Sequence, residues 1–105
     1  MGLTCPMDIV YTSLSRRPAA GLPSPGEAAE VLGALWAHAI RDDGLEHASC
    51  RAQSDRVDLL LYLLTRPAGA SDARSPLHRA EALLNRSCLA SPLLRNRYLP
   101  PYLTA

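Results

Sequence analysis

"HASCRAQSDRVDLLLYLLTRP" (residues 47–67) decides the fold, because two strand-like segments follow one another in it with a short turn-like sequence between them. Its first half alternates between apolar and polar residues, which is typical of a strand with one buried face. Residues 57–64 are apolar except at Asp58, which is typical of a strand in the middle of a sheet. The turn-like QSDR joins the two halves, so we predict a hairpin of strands β2 (45–52) and β3 (57–65).

The register of this hairpin can also be predicted. With the turn centred on Ser54 and Asp55, Arg51 faces Asp58, and this oppositely charged cross-strand pair supports the register. One face of the hairpin then carries Ala48, Cys50, Ala52, Val57, Leu59, Leu61 and Leu63. The other face carries His47, Ser49, Arg51, Asp58, Leu60, Tyr62 and Leu64.

A strand and a helix precede the hairpin. MDIVYTSLS (7–15) is rich in β-branched and aromatic residues, which predicts strand β1. SPGE (24–27) predicts the start of helix α1, with Ser24 as the cap and Glu27 closing a capping box, and the helix should run to about Arg41. The predicted inner stripe of α1 is Ala28, Leu32, Leu35, Trp36 and Ala39, with Val31 and Ile40 at its margins.

Two further helix starts follow the hairpin. Ser75-Pro76 and Ser91-Pro92 both combine a capping residue with a proline at the first helical position. They predict helix α2 and an extra C-terminal helical turn. The predicted inner stripe of α2 is Leu77, Ala80, Leu84 and Cys88. The residues expected to be almost fully buried are Leu32, Leu35, Leu59, Leu61 and Leu84.

The element order predicts an α+β fold. A βαββα order with a right-handed crossover and a hairpin resembles the ferredoxin-like arrangement, shortened by one strand. It implies a three-stranded antiparallel sheet in the order β1-β3-β2, with the two helices on one face. We expect a single α+β domain over 1–105, in which residues 97–105 form a tail.

One face of this sheet has no helix of the chain to cover it. Leu60, Tyr62 and Leu64 lie on that face, and Tyr11 of the neighbouring β1 is placed beside them as part of an interaction face. Because a row of apolar residues on a central strand forms a patch, we expect another chain to cover it, either a second copy in a homodimer or a larger protein partner. The alternative cover is the tail, through Tyr98, Leu99, Tyr102 and Leu103.

A small-molecule function is the main alternative. His47, Ser49, Arg51 and Tyr62 could supply the polar groups of a ligand-binding pocket on the sheet, as in a small enzyme of a biosynthetic pathway. However, no P-loop, dinucleotide fingerprint, nucleophile elbow or paired CxxC is present. We therefore favour a non-enzymatic protein without a cofactor.

Other candidate sites have simpler interpretations. His47 and Cys50 form an HxxC, but on a strand their side chains point to opposite faces, so no metal site is predicted. Cys50 and Cys88 are interpreted as small core residues, and Cys5 as an exposed thiol. Asp42, Asp43 and Glu46 are interpreted as an ordinary turn region, and the arginines of the C-terminal third as a solvated surface.

Composition limits the remaining classes of partner. The net charge is +1 over 105 residues, which disfavours nucleic acid as a partner. Three widely spaced cysteines favour a reducing compartment, and the first residues do not resemble a signal peptide, so we expect a cytoplasmic protein without a membrane segment. Arginine without lysine is typical of GC-rich coding, and we expect a bacterial source.

Overall fold

The computed structural model of the protein describes residues 6–65 and 75–101. The described elements are β1 (Met7–Ser15), α1 (Glu27–His38), β2 (Leu45–Ala52), β3 (Arg56–Leu64), α2 (Pro76–Ala90) and α3 (Pro92–Arg97). Two short 3-10 turns, Pro18–Ala20 and Arg41–Asp43, lie before and after α1. The element order is therefore the predicted βαββα with an additional short helix.

The three strands form one antiparallel sheet in the order β1-β3-β2, as predicted. β1 pairs with β3 along its whole length, from Met7 opposite Leu64 to Ser15 opposite Arg56. Because β3 has a partner on both sides, its backbone groups are used within the sheet, and this accounts for the long apolar run in the central strand. β1 and β2 are the two edges.

The predicted hairpin register is confirmed. Arg51 lies opposite Asp58 and His47 opposite Tyr62. The register then shifts between His47 and Leu45, so that β2 bulges at this end. A bulge adds a residue to one strand and increases its twist, and β2 is therefore less regular than β1 near its start.

The two faces of β3 differ in burial. Val57, Leu59, Leu61 and Leu63 are all 0% exposed and belong to the core together with apolar residues of α1 and α2. Fully burying one such side chain contributes roughly 1.5–3 kcal/mol. The alternate residues Asp58, Leu60, Tyr62 and Leu64 are only half-buried. The helices therefore lie on one face of the sheet, and we call the other face the open face.

Two of the three predicted helix starts are confirmed. The Ser75 hydroxyl accepts a hydrogen bond from the His78 N–H at 3.1 Å, and the Ser91 hydroxyl accepts one from the Leu94 N–H at 3.4 Å. The start of α1 is different, because Gly26 occupies the cap position and no side chain caps the helix. The predicted capping box is therefore wrong.

The predicted inner stripes were partly wrong. α1 buries the row Glu27, Val31 and Leu35. Trp36 is 46% exposed and Leu32 only half-buried, because a buried Glu27 turns the helix so that the row four residues apart faces the core. In α2, Ala80, Leu84 and Cys88 are buried as predicted, but Leu77 is 56% exposed.

The chain after α3 returns to the end of β1. Tyr98 forms an isolated antiparallel bridge with Arg16, and the Leu99 N–H donates to the Ser15 carbonyl at 2.8 Å. Tyr98 is 1% exposed and lies in the core. The tail alternative required Tyr98 to cover the open face, and Tyr98 does not do so. Tyr102 and Leu103, which belong to the same alternative, lie outside the described residues.

Candidate functional site

Six apolar side chains form a continuous patch on the open face. The patch consists of Met7, Ile9 and Tyr11 on β1 and Leu60, Tyr62 and Leu64 on β3. They lie in three cross-strand pairs, because each β1 residue of the set faces one β3 residue of the set. The β1 members are 45%, 60% and 65% exposed in chain order, and those on β3 are half-buried. We call these six residues the apolar patch.

The structure brings the predicted interaction residues together. Leu60, Tyr62 and Leu64 lie on one side of β3, and Tyr11 is the direct neighbour of Leu60. The patch extends to the sheet edge through Met7 and Ile9, which were not among the predicted interaction residues. These residues share the parity of Tyr11 along β1, so strand alternation would have revealed them.

The strand on the other side of β3 makes the open face polar. His47, Ser49 and Arg51 are all exposed there. The rings of His47 and Tyr62 lie edge to face, with centroids 5.3 Å apart and an interplanar angle of 66°. Such a contact covers one side of the Tyr62 ring, so the apolar patch ends at β2.

A shallow depression of about 380 Å³ lies at one end of the open face. Its polar lining includes Ser49, Arg51, Gln53 and Asp58, with the Tyr11 ring beside them. Two of the four predicted ligand-binding residues, Ser49 and Arg51, therefore line one concave surface. His47 and Tyr62 are not part of that lining.

Asp58 gives this end of the open face a stable negative charge. Its ion-pair partner is Arg56, whose Nε donates at 2.9 Å, rather than the Arg51 opposite it in the hairpin. Desolvation alone would raise the pKa of Asp58, but hydrogen bonds from Arg56, Tyr11 and Gln53 outweigh it and lower the pKa below its ordinary value. The carboxylate is therefore ionised and accepts hydrogen bonds from its neighbours at neutral pH.

The two described cysteines are poorly suited to nucleophilic chemistry. Desolvation, with smaller contributions from Glu27 and Asp58, raises the pKa of Cys50 to about 11. Burial also raises the pKa of Cys88. Both are thiols rather than thiolates at neutral pH, and the thiolate is the reactive form. Cys5 lies outside the described residues.

A buried polar network lies on the helical side of the sheet. The Glu27 carboxylate accepts hydrogen bonds from the Arg16 guanidinium and the Tyr98 hydroxyl. Arg16 also donates to the carbonyls of Ser54 and Gln53 in the hairpin turn, at 3.1 and 2.6 Å. Since Glu27, Arg16 and Tyr98 are each 8% exposed or less, the network joins β1, α1, the hairpin turn and the tail inside the core.

A second buried ion pair closes the loop before β2. Asp43 is 1% exposed, and its carboxylate accepts two hydrogen bonds from Arg86, each at 2.9 Å. Arg79, also 1% exposed, donates to the Asp43 carbonyl at 3.0 Å. The predicted turn is present, and Gly44 ends it with φ +71°. However, the solvated-surface interpretation is wrong for Arg79, because this arginine holds the loop from inside.

In both networks the carboxylate is buried and paired with an arginine, and only the Arg86 side chain is partly exposed, at 32%. Among residues 6–65 and 75–101, no group of three or more histidine, cysteine or acidic side chains is arranged to hold a metal ion. In the same ranges, none of the helices has the length and apolar character needed to cross a membrane.

No family model, curated protein or solved structure matches this chain. The open face and the edges of the sheet are therefore the features from which a function can be inferred.

Proposed function

We propose that the chain is a small, non-enzymatic interaction module that docks another protein chain on its open face. The observation that carries the proposal is the apolar patch, which lies on the side of the sheet away from the helices. Its β1 members are 45–65% exposed, and large apolar side chains grouped in this way favour association. A cytoplasmic location, suggested by the three widely spaced cysteines, is part of the proposal.

The distribution of residue types supports a protein partner. Protein interfaces have an apolar centre, a polar rim and an enrichment in aromatic anchors. The open face has this order, since Tyr11 and Tyr62 belong to the apolar patch while Ser49, Arg51 and Asp58 lie beside it. Burying the patch would contribute about 25 cal/mol per Å² of apolar surface removed from water.

The proposal includes a ferredoxin-like arrangement without its fourth strand. In that arrangement a strand after α2 would return beside β1, because a right-handed crossover from β3 leads to that edge. The antiparallel bridge between Tyr98 and Arg16 lies at this place and supports the assignment. Among residues 6–65 and 75–101, no further strand then pairs with the rest of the β1 edge.

Site-specific photo-crosslinking in cells tests the interaction function. A photoreactive residue at Tyr62, in the apolar patch on the central strand, should give a discrete protein adduct, and Leu60→Asp should abolish it. The same residue at Leu22, which is 85% exposed and outside the sheet, is the matched control and should give none. An adduct from Leu22 alone, or one from Tyr62 that is insensitive to Leu60→Asp, would contradict the proposal.

The depression beside the patch favours a second candidate, a small-molecule-binding protein or small enzyme. Its volume of about 380 Å³ and its lining by Ser49 and Arg51 suit a small polar ligand. Native mass spectrometry of the purified protein would support this candidate by a stoichiometric ligand that Arg51→Ala removes. The interaction proposal predicts no such ligand.

A further inference from the structure

The two edges of the sheet differ in how they resist pairing with another strand. The β2 edge has a bulge between Leu45 and His47 and carries the charged Glu46 and Arg51. Bulges and charges are the devices by which proteins block a sheet edge. β1 pairs with β3 without a register shift, and Asp8 is its only charged residue. Of the two edges, β1 is therefore the one built to accept a further strand.

The outward backbone groups of β1 follow from the bonds at its end. Ser15 accepts from the tail and Arg17 donates to it, at 2.8 and 2.9 Å, whereas Arg16 donates to the Asp55 carbonyl in the hairpin turn at 2.8 Å. Odd-numbered residues therefore direct N–H and C=O away from β3, because these groups alternate along an antiparallel strand. The outward groups before Ser15 belong to Met7, Ile9, Tyr11 and Ser13.

The tail leaves this stretch of edge open within the described chain. It pairs with β1 only through residues 97–99, and the next outward carbonyl, that of Ser13, would need an N–H from Pro101. Proline has no N–H, so the ladder ends there. Pro101 is already in a turn rather than in a strand.

We propose that a second copy of this chain fills the open edge, with β1 paired antiparallel to β1 across a twofold axis. The axis passes beside Val10, so that Ile9 of each copy faces Tyr11 of the other and Met7 faces Ser13. The pairing makes one sheet through both copies, joins the two apolar patches on the same face and leaves that face open. This inference therefore goes beyond the interaction function proposed above, which uses the open face rather than the edge.

This register is the one that the edge permits. It pairs all four residues with outward groups, and an isoleucine opposite a tyrosine is a favourable cross-strand pair. It also sets Asp8 opposite Thr12, whereas a register with Asp8 opposite its own copy would place like charges together. Moving the axis to Tyr11 would put Met7 opposite Ser15, whose carbonyl already accepts from the tail.

The area of the contact sets its expected strength. A stable protein interface buries about 1,200–2,000 Å² in total, and we expect a contact of residues 7–13 from each copy not to exceed the low end of that range. We therefore expect a dissociation constant of about micromolar magnitude, so that the dimer dominates only in concentrated solution.

Sedimentation combined with residue-resolved amide exchange tests the pairing in the full chain. The mass should rise with concentration from 11.3 kDa towards twice that value. Over the same range, exchange of the Ile9, Tyr11 and Ser13 amides should slow by about tenfold. Val10 and Thr12, whose amides point to β3, are internal controls and should be protected at every concentration.

Two variants separate edge pairing from contact through the face. Ile9→Pro removes an outward N–H without removing a bond to β3, and it should weaken dimerisation at least about tenfold while leaving the monomer folded. Leu60→Asp changes the patch but not the edge and should leave the Tyr11 amide protected at high concentration.

Three results would overturn the inference. A monomer at every concentration would exclude a second copy, and the photo-crosslinking experiment would then decide separately whether the open face binds a different protein. A dimer without amide protection would indicate contact through the face alone. Protection that is independent of concentration and lost on truncation after Pro101 would assign the edge to residues 102–105.

Discussion

The two faces of β3 have similar compositions but different surroundings. Leu59, Leu61 and Leu63 are fully buried under α1 and α2, whereas the interleaved Leu60, Tyr62 and Leu64 lie half-buried on the open face. Hydrophobicity alone therefore does not say which face of a strand is the core. The core is the face that the chain covers with its own helices, and no described helix lies on the second apolar face.

The largest expected change in unfolding free energy comes from removing a buried charge on the helical side of the sheet. Glu27→Gln leaves the Arg16 guanidinium buried without its counter-ion, so we expect a loss of about 3–5 kcal/mol in unfolding free energy. The control is Glu30→Gln, which breaks the exposed pair with Arg97 and should cost at most about 1 kcal/mol. Urea denaturation measures both. Equal losses would show that the buried network does not stabilise the helical side.

A pair of leucines on β3 tests the comparison directly. Leu61→Ala should lower the free energy of unfolding by about 2–5 kcal/mol, because it leaves a cavity in the core. Leu60→Ala, one residue away on the open face, should cost about 1 kcal/mol in dilute protein. If the two losses are reversed in size, the assignment of the two faces is inverted.

The pH dependence of stability sharpens the same comparison. Desolvation would raise the pKa of Glu27, but hydrogen bonds from Tyr98 and Arg16 outweigh it, so the folded pKa lies below its ordinary value of 4.5. The network's contribution should therefore be present above about pH 4.5 and be lost as the pH falls through the folded pKa. Glu27→Gln should flatten the stability profile there, and an unchanged slope would contradict this assignment.

The smallest loss of stability should come from substitutions at the starts of the two long helices, α1 and α2. Ser75→Ala removes a side-chain cap from α2 and should cost about 1 kcal/mol. Ser24→Ala should have almost no effect, because no side chain caps α1. Thermal melting of both variants measures the difference, and equal shifts would indicate that Ser24 caps α1 after all.

The parts of the fold that could be predicted are those set by neighbouring residues. Centring the hairpin turn on Ser54 and Asp55 predicted the register, although Asp58 pairs with Arg56 rather than with the Arg51 opposite it. Ser75-Pro76 predicted the start of α2. The rotation of α1 could not be predicted, because Glu27 turns inward towards a tyrosine 71 residues further along the chain. Sequence patterns over a few residues do not contain such a contact.

The candidate site was predictable to a similar degree. Alternation along β3 identified Leu60, Tyr62 and Leu64, and the strand order placed Tyr11 beside them. The point at which the tail stops pairing with β1 was not predicted, because it depends on the register set by the bridge between Arg16 and Tyr98. That bridge is a tertiary contact.

The contact between Glu27 and Tyr98 has a consequence for synthesis on the ribosome. β1 and α1 emerge early, but β1 has no strand partner until β3 has been made, and Glu27 has no tyrosine until residue 98 has been added. Such distant contacts form late, because the intervening chain must first be closed into a loop. We therefore expect the Glu27 carboxylate, paired with Arg16 alone, to stay accessible to water in the nascent chain until the tail arrives to bury it.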